Sequence, residues 1–335
     1  MARRLDKFVW GLMACATTAC AVAQADETRP FEFTDQSPLV QIFGLPAIGP
    51  ARVLDAGTTT LRFSADLANH YAYAASGGER ILIDAETRRF TVALRRGARD
   101  GIEWGLELPY VGYSGGAADA LIERWHALGG FPNGGREFAP RNRLWIEYLR
   151  NGVPILLVRD AGDGLGDLRL DAARRLASGA ADSASDLALR GALKLPTGDA
   201  TGLRGSGATD AALWLSAACD ARRCSGELGW YAGAGLLRAG PGVILAAQQR
   251  RLIPFGSAGL AWRVTPALVL RAQVDAHGSF YRDSDLKPLG ATLQGLFGGS
   301  WMIGAQRTVD FALAEDLRVG SVPDVQFHLA WRLNY

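Results

Sequence analysis

The stretch Val325-Gln326-Phe327-His328-Leu329-Ala330-Trp331-Arg332-Leu333-Asn334-Tyr335 decides the fold. Its large apolar residues occupy every second position, from Val325 through Phe327, Leu329, Trp331 and Leu333 to Tyr335. That period of two belongs to a β-strand, whose side chains point alternately to opposite faces; a helix would repeat every 3.6 residues. One face is bulky and wholly apolar. The other carries Gln326, His328, Ala330, Arg332 and Asn334. Such a strand needs hydrocarbon on one side and a polar environment on the other, and a closed transmembrane β-barrel supplies both.

The same alternation recurs upstream. Leu61, Phe63, Ala65, Leu67 and Tyr71 oppose Arg62, Ser64, Asp66 and His70, with Asn69 breaking the apolar face near its outer end. Ile102, Trp104, Leu106, Leu108 and Tyr110 oppose Glu103, Gly105 and Glu107. Further copies lie at Phe90 to Leu94, Leu168 to Asp171, Leu187 to Leu195, Leu228 to Leu236 and Leu268 to His277, the last placing Arg271, Gln273, Asp275 and His277 on its polar face. Less regular copies occupy Ala211 to Ser216, Leu260 to Val264, Ala291 to Phe297 and Met302 to Leu313.

A water-soluble sandwich also alternates. Two features favour the barrel. Aromatic residues sit near strand ends on the apolar face (Tyr71, Tyr110, Trp230, Trp331, Tyr335), as in a lipid-facing girdle. Connections also come in two sizes. Tight ones fall at Gly97 to Gly101, Cys219 to Cys224, Thr265-Pro266 and Gly298 to Ser300. Longer ones span Ser76 to Glu86, Val111 to Leu165, Thr197 to Thr209, Ala239 to Ser257, Tyr281 to Pro288 and Glu315 to Pro323. The expectation is an all-β fold, a transmembrane antiparallel β-barrel of about twelve strands with an external helical loop. Its interior would hold charges of both signs: Arg62, Asp66, Arg95, Glu103, Glu107, Arg169, Asp171, Arg190, Lys194, Arg271, Asp275 and Arg332. Most of these suit structural ion pairing rather than substrate contact.

The first residues read as an export signal: Arg3, Arg4 and Lys7, an apolar stretch from Phe8 to Val22, then Ala23-Gln24-Ala25 at the cleavage position. The expected organisation is a signal peptide over 1–25, a periplasmic N-terminal segment over 26–55 and an outer-membrane barrel over 56–335. Lys7, Arg3 and Arg4 against Asp6 account for the small positive excess of the 335-residue chain, so the remainder is formally neutral and argues against a nucleic-acid partner. Cys219 and Cys224 flank a polar turn and can pair in an oxidising compartment. Two thiols without a neighbouring histidine do not suggest zinc, and no metal or other cofactor is expected.

Residues 112–164 interrupt the strand pattern. Ala118, Leu121, Ile122, Trp125 and Leu128 make an apolar stripe at helical spacing over 117–129, ended by Gly129-Gly130. Asn142 to Leu149 and Ile155 to Val158 suit a short surface hairpin. Such a lid would cover the barrel mouth, with Glu123, His126, Arg136, Arg141, Asn142 and Arg143 as its polar residues. A packed amphipathic rim and contact of its arginines with lipid headgroups remain open alternatives. His70 and His328 lie on polar faces of the first and last strands, which meet on closure, but no nucleophile elbow accompanies them.

Leu67-Ala68-Asn69-His70, Ile122-Glu123-Arg124-Trp125-His126, Pro132-Asn133-Gly134-Gly135-Arg136 and Gly164-Leu165-Gly166-Asp167-Leu168-Arg169-Leu170 together resemble an uncharacterised bacterial family, a domain of unknown function expected at the outer membrane. The resemblance implies the same barrel and location and carries no activity. The expected function is passage or binding of small or amphiphilic solutes through the outer membrane. The alternatives are a lipid-modifying enzyme and a structural barrel without substrate. Candidate lumen or lid residues are His70, Glu123, His126, Arg136, Asp275, His277 and His328. Expected partners are outer-membrane lipids, the barrel insertion machinery and a small-molecule solute.

Overall fold

A computed structural model of the protein describes residues 28–116, 140, 142–160, 162–178, 185–224, 226–318, 320 and 322–335. The expected signal peptide and the helix over 117–129, with Glu123, His126 and Arg136, lie outside the described residues. Twelve strands form the wall: β1 (Thr59–Ser76), β2 (Glu79–Gly97), β3 (Ile102–Ser114), β7 (Leu168–Ala177), β8 (Asp186–Leu195), β9 (Asp210–Cys219), β10 (Leu228–Arg238), β11 (Leu252–Thr265), β12 (Leu268–His277), β13 (Thr292–Ile303), β14 (Arg307–Asp316) and β15 (Val325–Asn334). Each pairs antiparallel with its neighbours, and β15 pairs β1 from Asn334↔Thr60 to Val325↔Asn69, which closes the ring. Closure leaves no open sheet edge facing hydrocarbon, where an unpaired amide costs several kcal/mol.

The alternation sorts as the sequence requires. Phe63, Val92, Leu106, Leu193, Leu215, Leu260 and Leu329 are exposed on the outside, while Arg62, Glu107, Arg190, Lys194, Arg271 and Arg332 are buried inside. Trp104, Trp230, Trp262, Trp301 and Trp331 are all exposed and lie towards the short-turn ends of their strands. An aromatic ring at that height fits a hydrocarbon–water boundary. Among the described residues no helix is long and apolar enough to cross a membrane.

Three extra strands lie beyond the wall at its long-loop end: β4 (Trp145–Arg150), β5 (Val153–Val158) and β6 (Gly164–Leu165). The hairpin expected around 142–158 is β4–β5, turning at Asn151-Gly152 with positive φ at both residues. Two expected connections differ. Ser76 to Glu86 is no loop: β1 and β2 run on as an extended ribbon and turn at Gly77-Gly78, and β4 pairs the outer part of β2. Gly298 to Ser300 is no turn: it lies within β13, where a Cβ at Gly298 would stand 2.0 Å from the Phe311 carbonyl oxygen. Those glycines allow close strand approach rather than reversal.

The N-terminal segment also differs from its expected periplasmic position. Its described part runs inside the barrel, and between Thr28 and Leu54 only Arg52 is exposed. One leg rises from Thr28, beside Gly229 at the short-turn end, to Gln36, whose N–H donates to the Gln326 side chain at the opposite end. The chain reverses through residues 38–43, then descends past Trp214 and Arg190 to Asp55 beside Gly97. Phe31, Phe33, Leu39, Ile42, Phe43 and Ile48 are buried by this route. In a dangling segment they would face water, so the hydrophobic effect favours insertion.

Candidate functional site

The inserted loop and the wall around it form the site. At the long-loop end the reversal is apolar: the Phe43 and Phe280 rings stack with centroids 4.5 Å apart, and the Tyr281 hydroxyl donates to the Leu39 carbonyl at 2.8 Å. The Tyr113 hydroxyl and the Gln41 amide both donate to the Leu203 carbonyl, at 2.7 and 2.8 Å. On the descending leg the Ile48 carbonyl accepts from the Trp214 indole and the Ser216 hydroxyl, and the Pro50 carbonyl accepts from Arg190. Lys194 joins Asp167, Asp210 and the Ile42 carbonyl. The segment takes no place in the sheet, so wall side chains hold it.

Midway, Glu32 enters a cluster of arginines. Its carboxylate pairs with Arg29 on its own leg, with Arg95 of β2 and with Arg62 of β1, the last at 3.2 Å. Arg62 also reaches Glu107 at 3.3 Å, and Glu107 is shared with Arg89 and Arg169. Arg169 pairs Asp171, and Arg190 pairs Glu103. The Nη2 of Arg190 is buried without a hydrogen-bond partner. Burial alone would raise the Glu32 carboxyl, but Arg95, Arg29, Arg62 and Arg190 together hold it well below the usual carboxylate range.

The alternation locates the inner wall correctly but not its neighbours in the lumen. Every charge expected inside belongs to this wall or its ion pairs. Arg271 and Arg332 converge on Asp310, at 2.8 and 3.2 Å, and Arg271 covers the Phe31 ring at 4.1 Å. His328 pairs across the closing seam with Asp66 at 2.5 Å, and its ring faces Phe33. His277 contacts Asp35 of the inserted loop at 3.2 Å and the Gly278 carbonyl at 2.9 Å. Asp275 accepts from Gln273 at 2.8 Å and from Gln294. His70 is buried on the inner face of β1, near the long-loop end, apart from the Asp66–His328 pair. Cys219 and Cys224 are joined as a disulfide, with Cα atoms 6.1 Å apart, across a short helix, α1 (Ala221–Cys224), rather than a plain turn. Among the described residues no three His, Cys, Asp or Glu side chains assemble a metal ligand set. Sequence reasoning missed Glu32 and Arg29, although Phe31-Glu32-Phe33 carries the same alternation as the wall.

With the loop in place, the clefts left along it are small. The one among the arginines holds about 30 Å³, and two others hold about 30 and 20 Å³. A vestibule of about 520 Å³ opens at the short-turn mouth, between Arg52, Arg95, Arg332 and Tyr335. A larger hollow of about 1000 Å³ is on the outside, lined by Phe90, Trp262, Phe297, Phe311, Phe327 and Leu329. It belongs to the apolar surface that would meet acyl chains and is separated from the polar cluster by the wall.

Residues 9–335 match the family described as protein of unknown function (DUF3187), and the chain belongs to that family. No curated protein matches it in sequence. Among solved structures, the fold is similar to the COG4313 outer membrane channel from Pseudomonas putida F1, at 13% identity over 85% of this chain and 98% of that one, with a TM-score of 0.55. The NanC porin is 8% identical over 82% of this chain and 98% of that one, with a TM-score of 0.43. The P. putida toluene transporter TodX is 12% identical over 85% and 90%, with a TM-score of 0.35.

Proposed function

We propose that this protein is an outer-membrane channel for small or amphiphilic solutes, closed at rest by its own N-terminal loop. The carrying observation is that loop: a segment outside the sheet fills the lumen of a sealed barrel and is held by side-chain contacts that can be exchanged. A barrel with no transport role would more simply fill its interior from the wall, as small barrels do. The apolar exterior and its tryptophan belt support residence in the outer membrane, with the lipids there and the barrel insertion machinery as partners. The short-turn end then faces the periplasm, as in other outer-membrane barrels.

The test is single-channel recording in planar bilayers of the full chain and of a variant with residues 30–50 replaced by a short Gly/Ser linker. The expected result is a small or absent conductance for the full chain and a large, steady one for the variant. A folded variant as silent as the parent would overturn the channel reading and leave a structural barrel.

A further inference from the structure

We propose that the Arg62–Arg95 pair is a receptor for the carboxylate of a transported solute, occupied at rest by Glu32 as an internal stand-in. The proposal rests on the channel reading and names its solute class: small organic acids with an apolar body.

Two observations set the chemistry. The first is charge. Arg62, Arg89, Arg95, Arg169 and Arg190 project from four strands of the wall into one cleft, and their wall partners are Glu103, Glu107 and Asp171. Asp66, on the same cleft, is engaged by His328. The wall alone therefore holds more cationic than anionic groups. Glu32 supplies balancing charge from the loop, and Arg29, which departs with it, is not part of the wall. When the ascending leg withdraws, Arg62 and Arg95 lose a buried carboxylate, and desolvated guanidinium groups take another anion in its place. The buried, unpartnered Nη2 of Arg190 offers a further donor in the same cleft.

The second observation is shape. Glu32 is flanked by Phe31 and Phe33, and the cleft is bordered by Phe33, Ala47, Ala172 and Trp214. The wall meets those rings with Arg271 over Phe31 and His328 beside Phe33. The leg thus turns its carboxylate to β1 and β2 and its two rings to β12–β15, so the space it vacates joins a charge site to apolar surface across the lumen. Guanidinium groups bind a carboxylate there through paired N–H donors. An inorganic anion would fill the charge site and leave the apolar subsites empty.

Benzoate is the probe, with benzyl alcohol as its neutral counterpart and inorganic phosphate as an anion without a ring. Calorimetric titration of the detergent-solubilised full chain should show weak benzoate binding, because Glu32 competes. Glu32→Gln should bind benzoate at least about tenfold more tightly, and Glu32→Gln with Arg95→Gln should lose that gain. Benzyl alcohol and phosphate should show no comparable gain. Equal benzoate affinity in wild type and Glu32→Gln, or an equal gain for benzyl alcohol or phosphate, would overturn the proposal. Should Glu32→Gln fail to fold, wild type still decides: saturating benzoate should speed amide exchange in residues 28–36, and unchanged exchange would refute displacement. Benzoate bound as expected to a barrel that never conducts would refute the channel and keep the receptor. A conducting barrel indifferent to benzoate would do the reverse.

Discussion

Glu32 sets the acid response of the inserted loop. Its carboxyl is pulled down by Arg95, Arg29, Arg62 and Arg190 against the upward push of burial. From the walls around it the same cleft receives Arg89 of β2, Glu107 of β3, Asp171 and Arg169 of β7, and Asp66 of β1 paired to His328 of β15; Arg190 itself comes from β8. A carboxyl that ionises more readily when docked stabilises docking at every pH above its undocked value, near 4.3. That stabilisation fades as pH falls through the lower, docked value. Acidification below about pH 4 should therefore raise conductance by freeing the loop, and Glu32→Gln should be open at neutral pH and lose the acid step. Conductance recorded against pH for both proteins checks this, and identical acid steps would place the sensor elsewhere. Removing one partner of a buried pair commonly costs about 3–5 kcal/mol, with the low end expected because Arg62 and Arg95 keep Glu107 and Glu103. The wall half of this cluster was legible in the sequence because inward residues recur every second position. The loop half was not: periodicity reports which face a residue takes and is silent on whether a second segment fills the space behind that face.

At the scale of elements, the outer ribbon extends wall strands β1 and β2 and packs its buried face into the same apolar cluster as Leu39, Phe43 and Phe280. Ile81 and Ile83 of β2 and Ile146 and Tyr148 of β4 are fully buried on one face of the ribbon. The Tyr148 hydroxyl donates to Glu79 at 2.5 Å and accepts from Gln248 at 2.8 Å. Tyr148→Phe leaves both partners without that hydroxyl, a loss of about 1–3 kcal/mol for buried groups. The cost should appear locally: faster amide exchange across 145–158, with the heat-resistant mobility of the barrel unchanged. Exchange unchanged at 145–158 would mean that packing of the isoleucines alone holds the ribbon. The β4–β5 hairpin was legible because Asn151-Gly152 tolerates positive φ between two apolar runs. The turn at Gly77-Gly78 has the same physical basis, but polar residues on either side, Ser76 and Glu79, made the run to Glu86 read as a loop. The reverse error arose in β13, where glycine serves strand packing and reads as a turn.

For the whole molecule, transport requires two mechanically distinct parts: a wall sealed by backbone pairing and a loop held only through side chains. The wall resists because opening it exposes amides to hydrocarbon. The loop can yield because its polar contacts have substitutes in water or solute, while its buried apolar residues, Phe31, Phe33, Leu39, Ile42, Phe43 and Ile48, hold it in place at rest. If that division is right, tying the two parts together must abolish opening without harming the barrel. Gly233 on the inner face of β10 offers the place, since a Cβ there would lie 3.1 Å from the Ile48 Cβ on the descending leg. That is slightly inside the usual disulfide spacing of about 3.5–4.5 Å, and the same Cβ would stand 2.7 Å from the Leu215 carbonyl oxygen of β9, so both the loop and that strand pair must shift slightly to take the bridge. Ile48→Cys with Gly233→Cys, once oxidised, should stay closed at low pH and in benzoate alike. Reduction should restore opening, and each single variant, treated with the same oxidant and reductant, controls for the native Cys219–Cys224 bridge. An oxidised double variant that conducts as freely as wild type would show that solute passes without moving the descending leg, and gating would then rest on the ascending leg around Glu32.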